Sequence, residues 1–272
     1  ELDKDIKSLK DDGFDITLQL LDHHITGKVS AAKYDWYFLD DKRCATKIVF
    51  DYLLKEFKAP LNDYKEWVDT VNAVDIWLEN EKENFEFGKV LMSMVTKARE
   101  INSILFNSLD RDFKFYLLKN SIGFLSLKDA PIVLDNSVHS LKKEFLKDGF
   151  DDTLDNLSAS YLVKSLDKIK DDLTVYYNGQ KGLMTYCLGA ISIPANSFLR
   201  ANSDYDFFID VGRKGNASFR ADGKLDVSQL ASKLGNGGGH VNASGCKFDD
   251  FIETINLQEV RAYIQNKLNN LK

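Results

Sequence analysis

A short apolar run that ends in three adjacent polar residues constrains the fold of this chain more than any other feature. Residues 14–21 alternate in part between apolar and polar side chains, and Asp22, His23 and His24 follow them directly. Residues 1–11, just upstream, carry apolar side chains at helical spacing. A helix followed by a buried strand with polar residues at its carboxyl end is the repeating unit of an α/β sheet, in which ligands bind beyond the strand ends. The triplet therefore lies where such a fold places a site.

Length and a change of pattern along the chain predict two domains. The chain has 272 residues, and at this length a single hydrophobic core tends to split. Residues 1–130 combine short strands with amphipathic helices, including a mostly helical stretch over 84–120. Residues 172–272 hold several strand-like runs separated by turn residues. Between them, 131–171 is expected to be a helical linker with one long helix over 136–166, although a solvated helix face explains its charges equally well.

Charge and cysteine content exclude several classes of protein. The net charge of -6 argues against a protein that coats nucleic acid duplexes, yet it leaves room for a pocket that holds one or two phosphates. The three cysteines, Cys44, Cys187 and Cys246, are far apart, which fits a reducing compartment better than a disulfide framework or a zinc knuckle. The sequence has neither an apolar run of membrane-spanning length nor a signal-peptide segment. We expect a cytoplasmic protein without a membrane partner.

The chemistry of the triplet suits a metal centre. A neutral imidazole binds Mn, Zn or Fe, and a neighbouring carboxylate either orients the ring or binds the ion itself. The alternative is a pair of histidines in a surface turn, because two histidines cannot complete a metal site. The chain has only four histidines: His23 and His24 are adjacent at a strand end, and His240 follows three glycines, whereas His139 stands apart. This distribution favours a functional role.

Two charged residues and a run of glycines are further candidates for site residues. Asp75 lies between apolar residues on a predicted helix, and a buried carboxylate must be paired, hydrogen-bonded or metal-bound; a salt-bridged surface aspartate is the alternative. Arg220 ends a strand-like run that includes Ser218, and arginine binds phosphate through two hydrogen bonds; an exposed strand-end arginine is the alternative. The glycines before His240 can expose backbone N–H groups to an anion, or form a flexible turn after a helix.

Together these residues resemble the DHH phosphoesterase superfamily, which includes RecJ-type exonucleases and small oligoribonucleases. The resemblance extends over nearly the whole chain in order and spacing. It is carried by Leu21-Asp22-His23-His24, the signature of the superfamily; by Arg43-Cys44-Ala45-Thr46, with Cys44 in the place of a serine; by Asp75; and by Gly237-Gly238-Gly239-His240 with Ala243-Ser244-Gly245, typical of the DHH-associated C-terminal domain.

The resemblance, closest to the bacterial oligoribonuclease (nanoRNase) branch of NrnB type, implies a fold and an activity. The fold is a two-domain DHH phosphoesterase fold, with a parallel-sheet N-terminal domain that holds two Mn²⁺ ions and a smaller C-terminal α/β domain that binds substrate. The activity is Mn-dependent hydrolysis of short oligoribonucleotides or related small nucleotides, with short single-stranded RNA or DNA as partners and a homodimer as one expected assembly. The alternatives are a non-catalytic nucleotide-binding protein and a phosphatase of cyclic dinucleotides or phosphoadenosine nucleotides.

The resemblance also implies roles for individual residues. His23 and Asp75 are metal ligands, His24 faces the scissile phosphate, and Asp22 orients the pair as a second catalytic residue. The substrate phosphate is held by Arg220, Ser218, His240 and the backbone at Gly238 and Gly239. An upstream motif with one histidine and two aspartates, and a second motif with a bridging aspartate, are typical of the superfamily but are not found here. We expect these ligands in a segment that precedes Glu1.

Overall fold

The computed structural model describes residues 2–271. The helices are α1 (Leu2–Asp11), α2 (Lys28–Ala31), α3 (Ala45–Phe57), α4 (Lys65–Asp75), α5 (Lys82–Thr96), α6 (Asn107–Ser121), α7 (Ala130–Leu146), α8 (Leu154–Asp167), α9 (Lys170–Leu173), α10 (Ser192–Ala201), α11 (Val227–Leu234) and α12 (Leu257–Asn269). The strands are β1 (Leu20–Asp22), β2 (Tyr37–Leu39), β3 (Thr174–Tyr177), β4 (Gln180–Tyr186), β5 (Phe207–Val211), β6 (Asn216–Ala221), β7 (Gly238–His240) and β8 (Ala243–Lys247). Helix α1 matches the helix predicted over 1–11, apart from Glu1, which lies outside the described residues.

Contacts divide the described residues into two compact units, each built from two stretches of the chain. The N-terminal unit takes residues 2–97 and 118–137, and the C-terminal unit takes 98–117 and 138–271. Both units combine helices with a sheet, which confirms the predicted two-domain α/β fold. The domain limits expected from the sequence stay a prediction.

In the N-terminal unit, β1 and β2 pair in parallel, and this pairing brings Asp22 to the end of the sheet. Leu20 lies opposite Tyr37 and Asp22 opposite Leu39, and the ladder is extended by a 3.0 Å hydrogen bond from the Asp40 N–H to the Asp22 carbonyl. Helix α3 packs on α4 and β1, and α4 packs on α5. The core is made of buried side chains from these helices, among them Ile48, Phe50, Val68, Val74, Phe85, Phe87, Leu91 and Met94.

The C-terminal unit is built on a mixed sheet with strand order β3-β4-β5-β6-β8-β7. Strands β4 and β5 are parallel, and the other neighbours are antiparallel. Strand β5 is buried along its whole length, as expected for a central strand with both faces covered. Helix α11 packs on β8, where the Ser244 hydroxyl donates a 2.6 Å hydrogen bond to the Val227 carbonyl.

The strand predicted over 14–21 is mostly wrong. Strand β1 begins only at Leu20, because its partner β2 is three residues long and offers no further backbone groups for pairing. The side chain of Gln19 donates a hydrogen bond to the Trp36 carbonyl instead. Residues 14–19 are therefore irregular, and the triplet still follows directly on the paired segment.

The stretch over 84–120 is mostly helical, as predicted, in two helices, and the long helix predicted over 136–166 is interrupted. The first breaks between α5 and α6, where the Asn102 carboxamide oxygen accepts hydrogen bonds from the Ile104 and Leu105 N–H groups and so competes with the helix. The second breaks between α7 and α8: Gly149 has a φ of 79°, and Thr153 caps α8 by accepting a hydrogen bond from the Asn156 N–H. Within residues 2–271, each helix is either too short or too polar to cross a lipid bilayer.

Candidate active site and phosphate-binding face

The sequence triplet lies at the carboxyl end of β1, where the site was expected. Asp22 is the last residue of the strand, and His24 immediately precedes a 3₁₀ turn over Ile25–Gly27. The two imidazole rings are neighbours, with centroids 4.2 Å apart. They differ in exposure: the His23 side chain is 18% exposed and the His24 side chain 70%. One ring is therefore held against the protein and the other is open to a ligand.

The Asp22 carboxylate organises this turn. Its Oδ1 accepts hydrogen bonds from the His23 N–H at 2.8 Å and the His24 N–H at 3.2 Å, and it lies 2.7 Å from His24 Nδ1. Its Oδ2 accepts a 2.5 Å hydrogen bond from the Tyr37 hydroxyl. The Tyr37 hydroxyl, with help from the other donors, holds the pKa of Asp22 far below its usual range. Because an ionised carboxylate only accepts, Nδ1 of His24 carries the hydrogen, and Nε2 of the neutral ring is left with its lone pair.

Tyr37 is a residue that the sequence prediction missed. Its contact with Asp22 raises the pKa of the phenol, and the ring is packed closely against the 3₁₀ turn. A Cβ added to Gly27 would overlap the Tyr37 hydroxyl and would lie 3.2 Å from Asp22 Oδ2, so this close approach needs a glycine. The parallel pairing of β1 and β2 brings the two residues together. The sequence held no signal for this contact, because Tyr37 reads as an ordinary strand residue.

His23 and Asp75 form the second contact of the site. Asp75 ends α4, and its Oδ2 lies 3.6 Å from His23 Nε2. The prediction of a buried carboxylate is wrong, since the Asp75 side chain is 47% exposed. Its apolar neighbours do not cover it, because the helix ends at this residue. An exposed carboxylate beside a half-buried imidazole nitrogen is accessible to a ligand.

These two donors fit part of the coordination shell of a divalent ion. An imidazole nitrogen and a carboxylate oxygen 3.6 Å apart can contact one ion at bond lengths of roughly 2.0–2.2 Å. Within residues 2–271, no group of three or more His, Cys, Asp or Glu residues is arranged to hold a metal ion. His23 and Asp75 are thus candidates for a pair of ligands to one ion, and Asp22 is occupied by its hydrogen bonds.

Cys44, in the position of the expected serine, connects the two helices behind the site. Its N–H donates a 2.9 Å hydrogen bond to the Asn72 carboxamide oxygen on α4, and its Sγ caps α3 by accepting a hydrogen bond from the Lys47 N–H at 3.4 Å. Burial raises the pKa of the Cys44 thiol. Cys44 therefore anchors the start of α3 to the helix that carries Asp75.

The candidate substrate-binding residues of the C-terminal unit share one face of its sheet. Arg220 lies opposite Ala243, and Ala243 lies opposite His240. Directly opposed residues project from the same face, so Arg220 and His240 are on one side, roughly 9–10 Å apart across two strand spacings. Ser218 occupies the same face two residues along from Arg220, in a row with Gly245 and Gly238. Because both glycines lack side chains, this row is open above Ser218.

Arg220 also contacts the start of α10. Its Nη2 donates a 2.9 Å hydrogen bond to the Ser192 hydroxyl. The loop before that helix is fixed by Asp210 on β5, which accepts hydrogen bonds from the Leu188 and Gly189 N–H groups and from the Thr185 hydroxyl. Burial of Asp210 raises its pKa. The guanidinium thus contacts the first residue of the helix that follows a loop held by a buried carboxylate.

Most of the glycine run lies in a strand, which contradicts the alternative of a flexible turn. Gly238, Gly239 and His240 form β7, an exposed strand at the edge of the sheet. Gly239 has a φ of 145°, and a Cβ on it would lie 2.6 Å from the Ala243 carbonyl oxygen. An edge strand leaves part of its backbone N–H groups unpaired, so the expected exposure of N–H groups is compatible with a strand.

Comparisons with known proteins match both halves of the chain. Residues 189–270 match the DHHA1 domain family. The chain is 43% identical over 260 residues to a 3′,5′-cyclic-nucleotide phosphodiesterase of Helicobacter pylori, covering 94% of this chain and 74% of that protein. It is 24% identical over 276 residues to the oligoribonuclease NrnB of Bacillus subtilis, covering 94% of this chain and 60% of that protein.

A solved structure has the same fold. The crystal structure of an uncharacterized protein from Helicobacter pylori G27 superposes with a TM-score of 0.86 at 41% sequence identity. The match covers 98% of this chain and 80% of that one. The element order described above is therefore shared over almost the entire chain.

Proposed function

Because the chain belongs to the DHH phosphoesterase superfamily, a group of hydrolases, we propose that it is a metal-dependent phosphodiesterase of small nucleotides. The bond that it cleaves is the 3′,5′-phosphodiester, as found in short oligoribonucleotides and in 3′,5′-cyclic nucleotides. The observation that carries the proposal is the arrangement at the end of β1, where Asp22, His23, His24 and Asp75 meet. The DHHA1 match over 189–270 supports a second set of phosphate-binding groups in the same chain.

His23 and Asp75 are the residues that would hold a metal ion, and Mn²⁺ is the ion we propose. Their donor atoms, one imidazole nitrogen and one carboxylate oxygen, suit a borderline-hard divalent cation. When bound, such an ion supplies Lewis-acid chemistry and stabilises negative charge on phosphoryl oxygens. Asp75 contributes formal negative charge to this end of the site, which favours cation binding.

His24 is the proposed catalytic residue of the chain itself. Its Nδ1 is tied to ionised Asp22 at 2.7 Å, which fixes the ring and its tautomer. Its Nε2 is left to accept a proton or, once protonated, to donate one to a phosphate oxygen. Asp22 acts on the ring only through this contact, which sets its orientation. Asp22 is thus a positioning residue in this scheme.

In the C-terminal unit, the proposed phosphate-binding groups are Arg220, Ser218, His240 and the backbone of Gly238 and Gly239. Arg220 offers a planar fork of N–H donors that matches a phosphate. Glycines at the edge strand let the backbone approach an anion closely. These groups bind and orient a terminal phosphate; they carry no proton to the scissile bond.

Small substrates are proposed for two reasons. The net charge of -6 does not suit long strands, which need a basic track for their backbone. The two curated relatives are named for a cyclic nucleotide and for oligoribonucleotides, and both substrates contain the same linkage. All three cysteines are free thiols, which supports the cytoplasm as the proposed compartment. A homodimer stays a prediction.

The test is hydrolysis of a diribonucleotide and of 3′,5′-cyclic AMP by the full-length protein, each with Mn²⁺ and with an excess of chelator. We expect turnover of at least one substrate with Mn²⁺ and its loss on chelation. His24→Ala should reduce kcat by about 10²–10⁴-fold, the usual contribution of a general acid or base. His139→Ala, an exposed histidine on α7, is the matched control and should change kcat less than about twofold.

Three outcomes would contradict the proposal in whole or in part. Full activity in His24→Ala would remove that residue from the mechanism. Nucleotide binding without turnover of either substrate would favour the non-catalytic nucleotide-binding protein. Release of phosphate from a phosphoadenosine nucleotide, or opening of a cyclic dinucleotide to the linear dinucleotide, without turnover of the two test substrates would instead favour the other activity of the superfamily considered above.

A further inference from the structure

Helix α4, which carries Asp75, ends in an unusual way. The Leu78 N–H donates a 2.7 Å hydrogen bond to the Ala73 carbonyl, the 6→1 bond of a Schellman motif. In this motif the residue after the C-cap adopts a left-handed conformation, and glycine is the usual residue there. Here that residue is Trp77, with a φ of 60°. A bulky side chain therefore occupies a position at which glycine has the lower conformational free energy.

Burial does not offset this strain. The Trp77 side chain is 59% exposed, so most of its ring surface remains in contact with water. Within residues 2–271, Trp77 is the only aromatic residue among the non-glycine residues with positive φ, the others being Lys58, Asp129, Asn178 and Cys187. Strained backbone is concentrated at functional positions. Packing in the core therefore does not explain this tryptophan, and we look for a ligand that contacts it.

The ring is fixed despite its exposure. The indole N–H donates a 2.7 Å hydrogen bond to Glu79 Oε1. The ring also makes an edge contact with Phe85, with centroids 5.0 Å apart and planes at 83°. Phe85 is itself buried in the core at 6% exposure. These contacts hold the indole in one orientation and leave much of its surface uncovered, which reduces the entropy lost when a planar ligand stacks on it.

The position of Trp77 identifies that ligand. It lies two residues after Asp75, whose carboxylate is 3.6 Å from His23 Nε2. We propose that Trp77 is a stacking platform for the nucleobase of the substrate, a specificity that rests on the proposed function. Bases stack on aromatic side chains through their π faces, with little dependence on sequence. The N-terminal unit then binds a nucleoside group beside the scissile phosphate, and a base-free sugar phosphate lacks this contact.

The test compares 5′-AMP with ribose 5-phosphate, which lacks the base, by equilibrium binding to the full chain in the presence of Mn²⁺. The decisive variant is Trp77→Gly, because glycine removes the ring and also suits the left-handed position. We expect Trp77→Gly to raise the dissociation constant for 5′-AMP by between about 5-fold and about 150-fold, the range for one stacked base. The dissociation constant for ribose 5-phosphate should stay within about twofold. Trp77→Phe should retain part of the preference, since phenylalanine keeps a smaller aromatic face.

The thermal stability of the variants shows whether a loss of binding comes from unfolding. Trp77→Gly should unfold at a midpoint temperature no lower than that of the original chain, because it relieves strain. Equal affinity of the original chain for 5′-AMP and ribose 5-phosphate would overturn the inference. An equal decrease in the affinity for both ligands in Trp77→Gly would also overturn it. Neither ligand contains a phosphodiester bond, so the result does not depend on turnover. A Trp77-dependent preference for 5′-AMP in a chain that hydrolyses neither diribonucleotide nor cyclic AMP would support the platform while refuting the proposed function.

Discussion

The hydroxyl of Tyr37 determines how the Asp22 carboxylate uses its two oxygens. Oδ2 accepts the hydrogen bond of the Tyr37 hydroxyl at 2.5 Å. Oδ1 therefore accepts the hydrogen bonds from both histidine N–H groups and contacts the His24 ring. The carboxylate is therefore held from both sides and cannot rotate without losing hydrogen bonds to its charge, each worth about 1.5–3 kcal/mol. The orientation of His24 depends in this way on a residue 15 positions downstream.

Tyr37→Phe tests this dependence, because it removes the hydroxyl and keeps the ring. We expect a decrease in the free energy of unfolding, since Asp22 Oδ2 is left without its donor. We also expect a larger decrease in kcat than increase in KM, because the variant disturbs the His24 ring and leaves the phosphate-binding groups in place. Urea unfolding and steady-state kinetics measure the two effects. Tyr176→Phe, on the exposed side of β3, should change neither, and an unchanged kcat in Tyr37→Phe would contradict the role.

At this scale the sequence predicted the triplet better than its surroundings. Asp22, His23 and His24 were accessible to prediction because three adjacent polar residues after an apolar run are visible without any knowledge of pairing. Tyr37 was not, because its contact depends on the register of two three-residue strands. Asp75 was predicted as a site residue, but its burial was predicted wrongly. The carboxylate is exposed because α4 ends at this residue, and the left-handed residue two positions later that forms this end could not be predicted.

Among the elements, β7 shows why the glycine run is required. Gly239 packs its Cα against the neighbouring strand, and a Cβ there would meet the Ala243 carbonyl oxygen at 2.6 Å and Ser244 Cα at 2.7 Å. Its φ of 145° also disfavours other residues. The adjacent Gly238 differs, because a Cβ on it would meet only the Ser232 hydroxyl oxygen, at 4.0 Å.

This contrast gives a matched pair of variants. Gly239→Ala should destabilise the C-terminal unit by at least about 1 kcal/mol and weaken nucleotide binding, because β7 must move and carries His240 with it. Gly238→Ala should change stability by no more than about 0.5 kcal/mol. Thermal unfolding and calorimetric titration with 5′-AMP measure both quantities. Equal effects of the two substitutions would show that steric contact at Gly239 is not what fixes this strand.

Most elements after residue 172 were predictable, and several before it were not. The strands β3 to β6 have apolar residues of strand type between turn residues, and this pattern is local. The break at Gly149 in the long helix predicted over 136–166 was missed because the flanking residues keep helical spacing. The Thr153 hydroxyl caps the start of the next helix, and this hydrogen bond depends on the folded backbone.

For the whole molecule, the buried carboxylate of Asp210 makes stability depend on pH. Burial raises its pKa above the ordinary value of 3.8, so in the range between the two values the folded chain binds more protons than the unfolded chain. The free energy of unfolding contributed by this group therefore falls as pH rises through that range. Asp210→Asn removes the titration and also replaces one hydrogen-bond acceptor by an amide group.

We expect the difference in unfolding free energy between the original chain and Asp210→Asn to shrink as pH rises from about 4, and to level off above the raised pKa. Urea unfolding of both chains at several pH values measures this difference, and the comparison cancels the titration of other carboxyl groups. A difference that grows with pH would mean that the hydrogen bonds from Thr185, Leu188 and Gly189 outweigh burial.

The division of the chain into two units has a consequence for how this protein can be rearranged. Each unit is assembled from two separate stretches, and the divisions at 97/98, 117/118 and 137/138 include one inside α6 and one inside α7. A single crossover in the gene therefore cannot transplant one unit whole, and a truncation at 117/118 or at 137/138 cuts through a helix. Modular exchange of this catalytic region requires either the entire chain or a two-segment graft.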